Sequence, residues 1–338
     1  MQAASADESS PPEGAQGKGR PWRRWVTVGV SVAAVSLAAF LLYRTFSRYS
    51  WQELVDSVAS VPVGNLLLAG LFAALSYLCL TGFDWMATRY VGKRLPYPQV
   101  ALASFLSLSM GHTIGMAALS SGMIRYRFYS RWGLSNEEVA KVILFCGLTV
   151  GIGLIALGGA GLLVRPDLGQ RITGLGEPAM LALGAGCLAL VALYLVLAAF
   201  LRRPLHLWRW SFQMPGLRLA IAQVVIGTTN FMLVAACLHQ SLAAFTEMPY
   251  LGIAAIFVIA NVTTLISHVP GGLGVIESVV MFILKGEDVI GGLIAFRCIY
   301  FFIPLAIGGT IFLLTELVFR ARGRQGQEQT GQSNPAPA

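Results

Sequence analysis

Four ionisable residues stand inside or beside apolar sequence that should exclude them. Asp84 lies in CLTGFDWMATRY, Arg125 in SSGMIRYR, Glu277 in PGGLGVIES and Arg297 in AFRCIYFFIP. A guanidinium is a planar donor fork suited to phosphate or carboxylate. A carboxylate in such surroundings pairs with a cation or carries a proton. The stretch SHVPGGLGVIES, residues 267 to 278, adds backbone chemistry. Pro270 has no N–H to donate, and Gly271, Gly272 and Gly274 permit a tight turn. A helix restarting near Leu273 would aim unpaired N–H groups and its positive dipole end at an anion. Ser120, Ser121 and Gly122 offer a comparable restart earlier in the chain. Arg125, Arg297, Gly271, Gly272 and Gly274 are therefore candidate phosphate ligands. Glu277 and Asp84 are candidate charge or proton carriers, and Gly122, Pro270 and Pro304 candidate hinges or kinks.

The elements that hold these residues are membrane spans. The 338 residues are 56% hydrophobic and only 12% charged, about half the charge of a soluble domain at about 25%. Apolar runs near 20 residues recur, enough helix to cross a hydrocarbon core of ~30 Å. Spans are expected at 26–43, 62–88, 138–164, 178–200, 217–245 and 289–319. The run at 26–43 is followed by YRTFSRYS rather than a small-residue cleavage site, so it reads as an anchor helix. Two further apolar stretches, 98–119 and 250–269, end in the breaks SSG and PGG, with Gly111 to Gly115 and Asn261 to Ser267 as alternative places for the hairpin tips.

Basic residues set the orientation. The N-terminal tail, Lys93/Arg94, Arg125–Arg131, Arg202–Arg218 and Arg320–Arg324 should all be cytoplasmic. The net charge of +8 belongs to these tails and loops, so it reports topology and not nucleic-acid binding. A full crossing by 98–119 would strand IRYRFYSR outside, so 98–131 is expected to dip in and return. The stretch 250–284, with Glu287 and Asp288 after it, is then a second hairpin entering from the other face. Such re-entrant backbone needs protein or a water-filled cavity around it.

The two halves look duplicated. Residues 122–159 laid on 272–309 share seven identities in 38 positions: Gly122, Leu134, Glu137, Val139, Ala156, Gly158 and Gly159. The same offset of 150 brings 26–43 onto 176–193 and 62–88 onto 212–238, each pair oppositely oriented. The expected fold is an all-α polytopic membrane protein, an inverted-topology repeat of about six full transmembrane helices plus two re-entrant hairpins, an architecture typical of transporters. Its parts are a disordered cytoplasmic tail (1–24), repeat 1 (25–170, hairpin about 98–131), repeat 2 (171–320, hairpin about 250–284) and a second disordered cytoplasmic tail (321–338).

Each candidate also has a plainer reading. Glu277 can rest on its own helix N-terminus or pair with Arg297, and Asp84 can pair with Arg89. Arg125, Arg127 and Arg131 can simply face anionic headgroups. His112 and His268 can relay protons or only hydrogen-bond within turns. Pro304 should kink the last span. The five cysteines all lie in apolar runs without a CxxC pair, and the four histidines lack metal-binding spacing. No metal and no cofactor is expected.

The strings SGMIRYRFYSRWGLS, PGGLGVIE and AFRCIYFFIP resemble three ordered signatures of the lysylphosphatidylglycerol synthetase transmembrane (flippase-like) family: G-x-I-R, P-G-G-x-G-x-x-E, and an R-x-x-Y run with a proline after it. The resemblance covers about residues 20 to 320. It implies a bacterial or archaeal inner-membrane protein, multi-pass with both termini cytoplasmic, that handles or moves phospholipids. Its positions here are Gly122 and Arg125; Gly271, Gly272, Gly274 and Glu277; Arg297, Tyr300 and Pro304. In the multiple peptide resistance factors this domain is fused to a soluble aminoacyl-transfer domain; the chain ends 18 residues after Arg320, so that activity is not carried over.

Three functional readings follow. The first is a lipid flippase with no catalytic residues, in which Arg125 and Arg297 hold a headgroup phosphate while Glu277 or Asp84 meets a cationic headgroup or carries a proton. Its partners would be membrane phospholipids, anionic or aminoacylated, with a separate cytoplasmic synthase and a homo-oligomer as further expectations. The second is a non-transporting membrane partner that recruits a lipid-modifying enzyme. The third is an intramembrane enzyme using Ser120 or Ser121 with His268 or His112.

Overall fold

Apolar length fixes the frame. In the computed structural model, which describes residues 50–114, 117–201, 205–207, 210–267, 272, 274–285 and 289–315, five helices are long and apolar enough to cross a membrane. In chain order the helices are α1 (Trp51–Ala59), α2 (Val63–Tyr90), α3 (Tyr97–Ile114), α4 (Ala117–Arg131), α5 (Asn136–Val164), α6 (Pro166–Thr173), α7 (Glu177–Phe200), α8 (Leu217–Leu242), α9 (Tyr250–Ser267) and α10 (Val275–Ile283). The last span, α11 (Ile290–Thr315), follows. The spans are α2, α5, α7, α8 and α11, so the protein is an all-α, multi-pass membrane protein. The expected span 26–43 and both tails lie outside the described residues.

Local sequence explains where these helices start and stop. Ser135 and Glu138 form a reciprocal capping box at the head of α5, with Ser135 Oγ accepting from the Glu138 N–H and Glu138 Oε2 accepting from the Ser135 N–H. Gly133 ends the preceding turn at φ +85°, a left-handed conformation that glycine adopts without steric cost. A short hairpin, Leu205–Leu207 paired antiparallel with Trp210–Phe212, interrupts the loop between α7 and α8. Three-residue strands are too short to leave an alternating pattern in sequence.

The core forms where α2 crosses α8, from Ala69, Ala73, Leu80, Ala235 and Leu238. Small residues let the spans approach closely, as membrane packing favours. At the α5–α8 crossing a Cβ on Gly227 would lie 2.6 Å from the Thr149 carbonyl oxygen. By contrast only 17% of the α7 span is buried, and Leu183, Leu190, Leu193 and Phe200 point outward. In a bilayer such a surface faces lipid.

Packing follows the same order in both halves. Helix α2 contacts α3 and α5, and α8 contacts α9 and α11; α3 pairs with α4 as α9 pairs with α10. The breaks differ from expectation in one respect. Residues 120–122 lie inside the continuous helix α4, so SSG is not the break, and Gly122 is not a hinge between helices. The small residues serve helix contact instead: a Cβ on Gly111 would meet the Ser121 Cβ at 2.8 Å between the two limbs, and one on Gly122 would meet Ile143 of α5 at 3.3 Å. In the second hairpin the described helix begins at Val275, close to the expected restart. Its nine residues are ~14 Å long, far short of a ~30 Å core.

Candidate functional site

Two ionic grips hold the returning limbs of the hairpins. In the first, Asp84 on α2 is fully buried and Arg125 on α4 nearly so. Arg125 donates from Nε to Oδ1 and from Nη2 to Oδ2, both at 2.8 Å. Tyr129, one turn further along α4, donates to Oδ1 at 2.8 Å, and Ser104 on α3 donates to Oδ2 at 2.7 Å. Four hydrogen bonds thus converge on one carboxylate from both limbs of the hairpin. A buried pair is tolerable only with this kind of saturation, because each desolvated ion otherwise costs several kcal/mol.

The expected Asp84–Arg89 pair does not form. Five residues turn a helix by about 140°, which carries Arg89 away from Asp84. Its guanidinium lies instead over the Trp85 ring, 3.7 Å from the centroid. Tyr129 and Ser104 join the site without having been among the sequence candidates. The signal available for Tyr129 is its i+4 spacing from Arg125, which stacks both on one helix face.

The second grip joins α10 to α11. Glu277, in the first turn of α10, accepts from the Gly274 N–H through Oε2 at 2.9 Å. Arg297 donates from Nε to Glu277 Oε1, and its Nη2 donates to Glu277 Oε2 at 3.0 Å and to the Gly272 carbonyl at 2.9 Å. Both plainer readings of Glu277 are therefore realised together: it caps its own helix and pairs with Arg297. Gly272 and Gly274 stand at φ +59° and +83°, left-handed values that penalise any side chain. A Cβ on Gly272 would in addition press on Thr264 at 3.0 Å. Phe301 completes the surround, its ring centroid 5.0 Å from the guanidinium. Glu277 keeps 14% of its side-chain surface exposed against 0% for Asp84, so this grip is the more accessible one. Pro270, Gly271 and His268 lie outside the described residues.

A polar seam links the halves behind the second grip. Ser76 on α2 donates to Asn230 Oδ1 on α8 at 2.7 Å and shares a hydrogen with the Tyr300 hydroxyl at 3.1 Å. Tyr300 sits in a π-helical turn, Cys298–Phe302, just before Pro304. Proline lacks the N–H that would serve the carbonyl four residues back, and that carbonyl, of Tyr300, accepts from the Tyr77 hydroxyl at 3.3 Å instead. A π turn thus precedes Pro304, with the Tyr300 carbonyl accepting from α2.

The remaining candidates are placed as follows. The side chains of His112 and Ser120 are outside the described residues. Cys79, Cys146, Cys187, Cys237 and Cys298 are all free thiols. The structure joins Asp84 to Arg125 and Glu277 to Arg297, in two separate clusters, and in each the candidate phosphate ligand already meets a carboxylate.

Comparison with known proteins bears on what this arrangement serves. The family described as "Lysylphosphatidylglycerol synthase TM region" matches residues 28–308. An uncharacterised protein of Synechocystis is 30% identical over 88% of this chain and 93% of its own. Inner membrane protein YbhN of Escherichia coli is 29% identical over 80% of this chain and 86% of its own. A phosphatidylglycerol lysyltransferase of Staphylococcus xylosus is 19% identical over 88% of this chain but only 34% of its own length.

Proposed function

Because the chain belongs to the lysylphosphatidylglycerol synthase TM region family, we propose that it is a lipid transporter of the flippase kind. It moves a phospholipid or lipid-linked headgroup between leaflets of a bacterial or archaeal inner membrane, with both termini cytoplasmic. The two halves act as an inverted repeat, with hairpins entering from opposite faces and alternating access by rocking.

The observation that carries the reading is the second grip: a guanidinium, a carboxylate and a left-handed glycine turn gathered at an interrupted helix within an apolar frame. A headgroup phosphate can replace Glu277 on the Arg297 fork, leaving the carboxylate for a cationic headgroup or a proton. Arg125, held by the saturated Asp84 carboxylate, positions the first hairpin more than it binds cargo. The substrate class is anionic or aminoacylated phospholipid.

The test is transfer of fluorescent phosphatidylglycerol and lysyl-phosphatidylglycerol across the membrane of proteoliposomes. Transfer above protein-free vesicles, lost in Arg297→Ala, is expected; no transfer of either lipid refutes the reading.

A second reading has an observation of its own. Both guanidiniums are already paired within the chain, and exposed Arg131 lies in a basic segment. A non-transporting partner that recruits a lipid-modifying synthase would need only those features. It predicts full function in Arg297→Ala and loss on removal of the basic loop residues.

A further inference from the structure

Helices α2 and α8 are tied to each other at three depths. At one end Asn65, in the first turn of α2, donates from Nδ2 to Oε1 of Gln240, in the last turn of α8, at 2.8 Å. Midway, Ser76 donates to Asn230. At the other end the hydroxyl of Tyr90, the last residue of α2, donates to the Gln213 carbonyl just ahead of α8. Residues 65 to 90 rise ~37 Å along a helix, so the ties reach across a whole hydrocarbon core of ~30 Å. The end ties also answer each other at the offset of 150. Gln240 aligns with Tyr90, and Asn65 with Pro215, two residues from Gln213.

We propose that α2 and α8 form a fixed axle, and that the protein changes shape by moving the helices beside this pair, not by parting its halves along it. In the proposed transport, on which this rests, rocking becomes motion of the flanking helices, α10 first, about a joint that stays closed.

Packing between the ties opposes sliding. A Cβ on Gly82 would meet Ile226 at 2.7 Å, and Ala69, Ala73 and Ala235 are buried in the same joint. Ser76 and Asn230 are buried as well. In an apolar interior no water replaces a broken hydrogen bond, so parting the pair leaves donor and acceptor bare. Helix α10 is fastened differently. Its Glu277 meets α11 through the Arg297 fork and keeps part of its surface exposed. Water or a phosphate can therefore take over each bond as it opens. Helix α11 itself is fastened to the axle three residues beyond the fork. There Tyr300 shares a hydrogen with Ser76, and its carbonyl accepts from Tyr77. The freedom thus lies on the α10 side of the fork.

Pulsed-EPR distances in the full chain, held in phosphatidylcholine nanodiscs with and without added phosphatidylglycerol, test this. A nitroxide-bearing amino acid replaces Leu78 on α2 and Val225 on α8 in one variant, and Leu78 and Met281 on α10 in another; all three sites are exposed. The axle pair should give one and the same distance in both lipid mixtures. The α10 pair should shift or split by more than about 2 Å, the scale of helix displacements. A shift in the axle pair, or none in the α10 pair, overturns the proposal. A disulfide joining Asn65→Cys to Gln240→Cys adds a functional arm. Transfer of fluorescent phosphatidylglycerol in proteoliposomes should be as fast in the linked chain as in the reduced one, and loss on linking also overturns the axle. If the reduced chain transfers no lipid, the transport reading fails by itself, and the EPR distances still decide the axle.

Discussion

Breaking the Asp84–Arg125 grip one side at a time should give unequal losses. Asp84→Ala leaves a guanidinium that cannot shed its proton buried with 4% exposure and stripped of the carboxylate that holds it. Stranding one half of a buried pair costs about 3–5 kcal/mol, and Tyr129 and Ser104 lose their shared acceptor as well. Arg125→Ala is milder, because Asp84 keeps the donors Tyr129 and Ser104. The double variant Asp84→Leu/Arg125→Met removes both charges and fills the space, so it should recover most of the loss. At a few degrees per kcal/mol for a chain of this size, Asp84→Ala should lower the melting temperature by on the order of 10 °C. Melting in detergent, followed by size-exclusion of the heated sample, gives all four corners of the cycle. If both single variants melt with the wild type, or the double variant loses the sum of the two, the grip is not a coupled pair and the reasoning fails.

Arg297→Lys should behave like a loss rather than a conservative change, since one ammonium cannot span both Glu277 oxygens and the Gly272 carbonyl as the fork does; lipid transfer in proteoliposomes measures it, and wild-type transfer would contradict the assignment. Tyr77→Phe should cost about 0.5–1.5 kcal/mol by removing the hydrogen bond from Tyr77 to the Tyr300 carbonyl. Adding Pro304→Ala restores the backbone donor, so the double variant should melt above Tyr77→Phe alone. Glu137→Cys and Lys285→Cys, both on exposed sites, should react with an impermeant maleimide from opposite faces of the membrane; labelling from one face would refute the inverted arrangement. Amide hydrogen exchange should be faster in α10 than in α4, because the first grip is sealed and the second is partly exposed.

The spans are legible because hydrocarbon imposes one length and one composition. The expectation of 62–88 meets Val63–Tyr90, and 178–200 meets Glu177–Phe200. The second grip is legible in part, since Glu277 and Arg297 are each a lone charge within an apolar run and the pair is among the readings of Glu277. The first is not: Asp84 and Arg125 are 41 residues apart, and nearness in sequence favours Arg89, on the wrong side of the helix. SSG misleads for a related reason. Small residues end helices and also let helices touch, and only the Gly111–Ser121 contact decides between the two. The Ser76–Asn230–Tyr300 seam has a weaker signal, single polar residues in apolar runs, which gain meaning only when α2 and α8 are brought together.

The two grips also bear on how the proposed inverted repeat would work. At the offset of 150, Asp84 aligns with Val234, Arg125 with Val275, Glu277 with Arg127 and Arg297 with Gly147. None of the four charged grip residues has a chemical equivalent in the other half, although Gly272 aligns with Gly122. What the halves share is helix order and contact pattern, while each ionic lock belongs to its own half. The locks differ in kind as well. The first spends four hydrogen bonds on a carboxylate sealed from any surroundings, and opening it would expose a charge on each side to hydrocarbon. The second rests on a glycine turn, keeps part of its carboxylate exposed, and offers a fork that a phosphate can take over without leaving either ion bare. In the proposed flippase, a motion that admits a headgroup would therefore meet its lowest barrier at the second hairpin, with the first as the wall against which it moves.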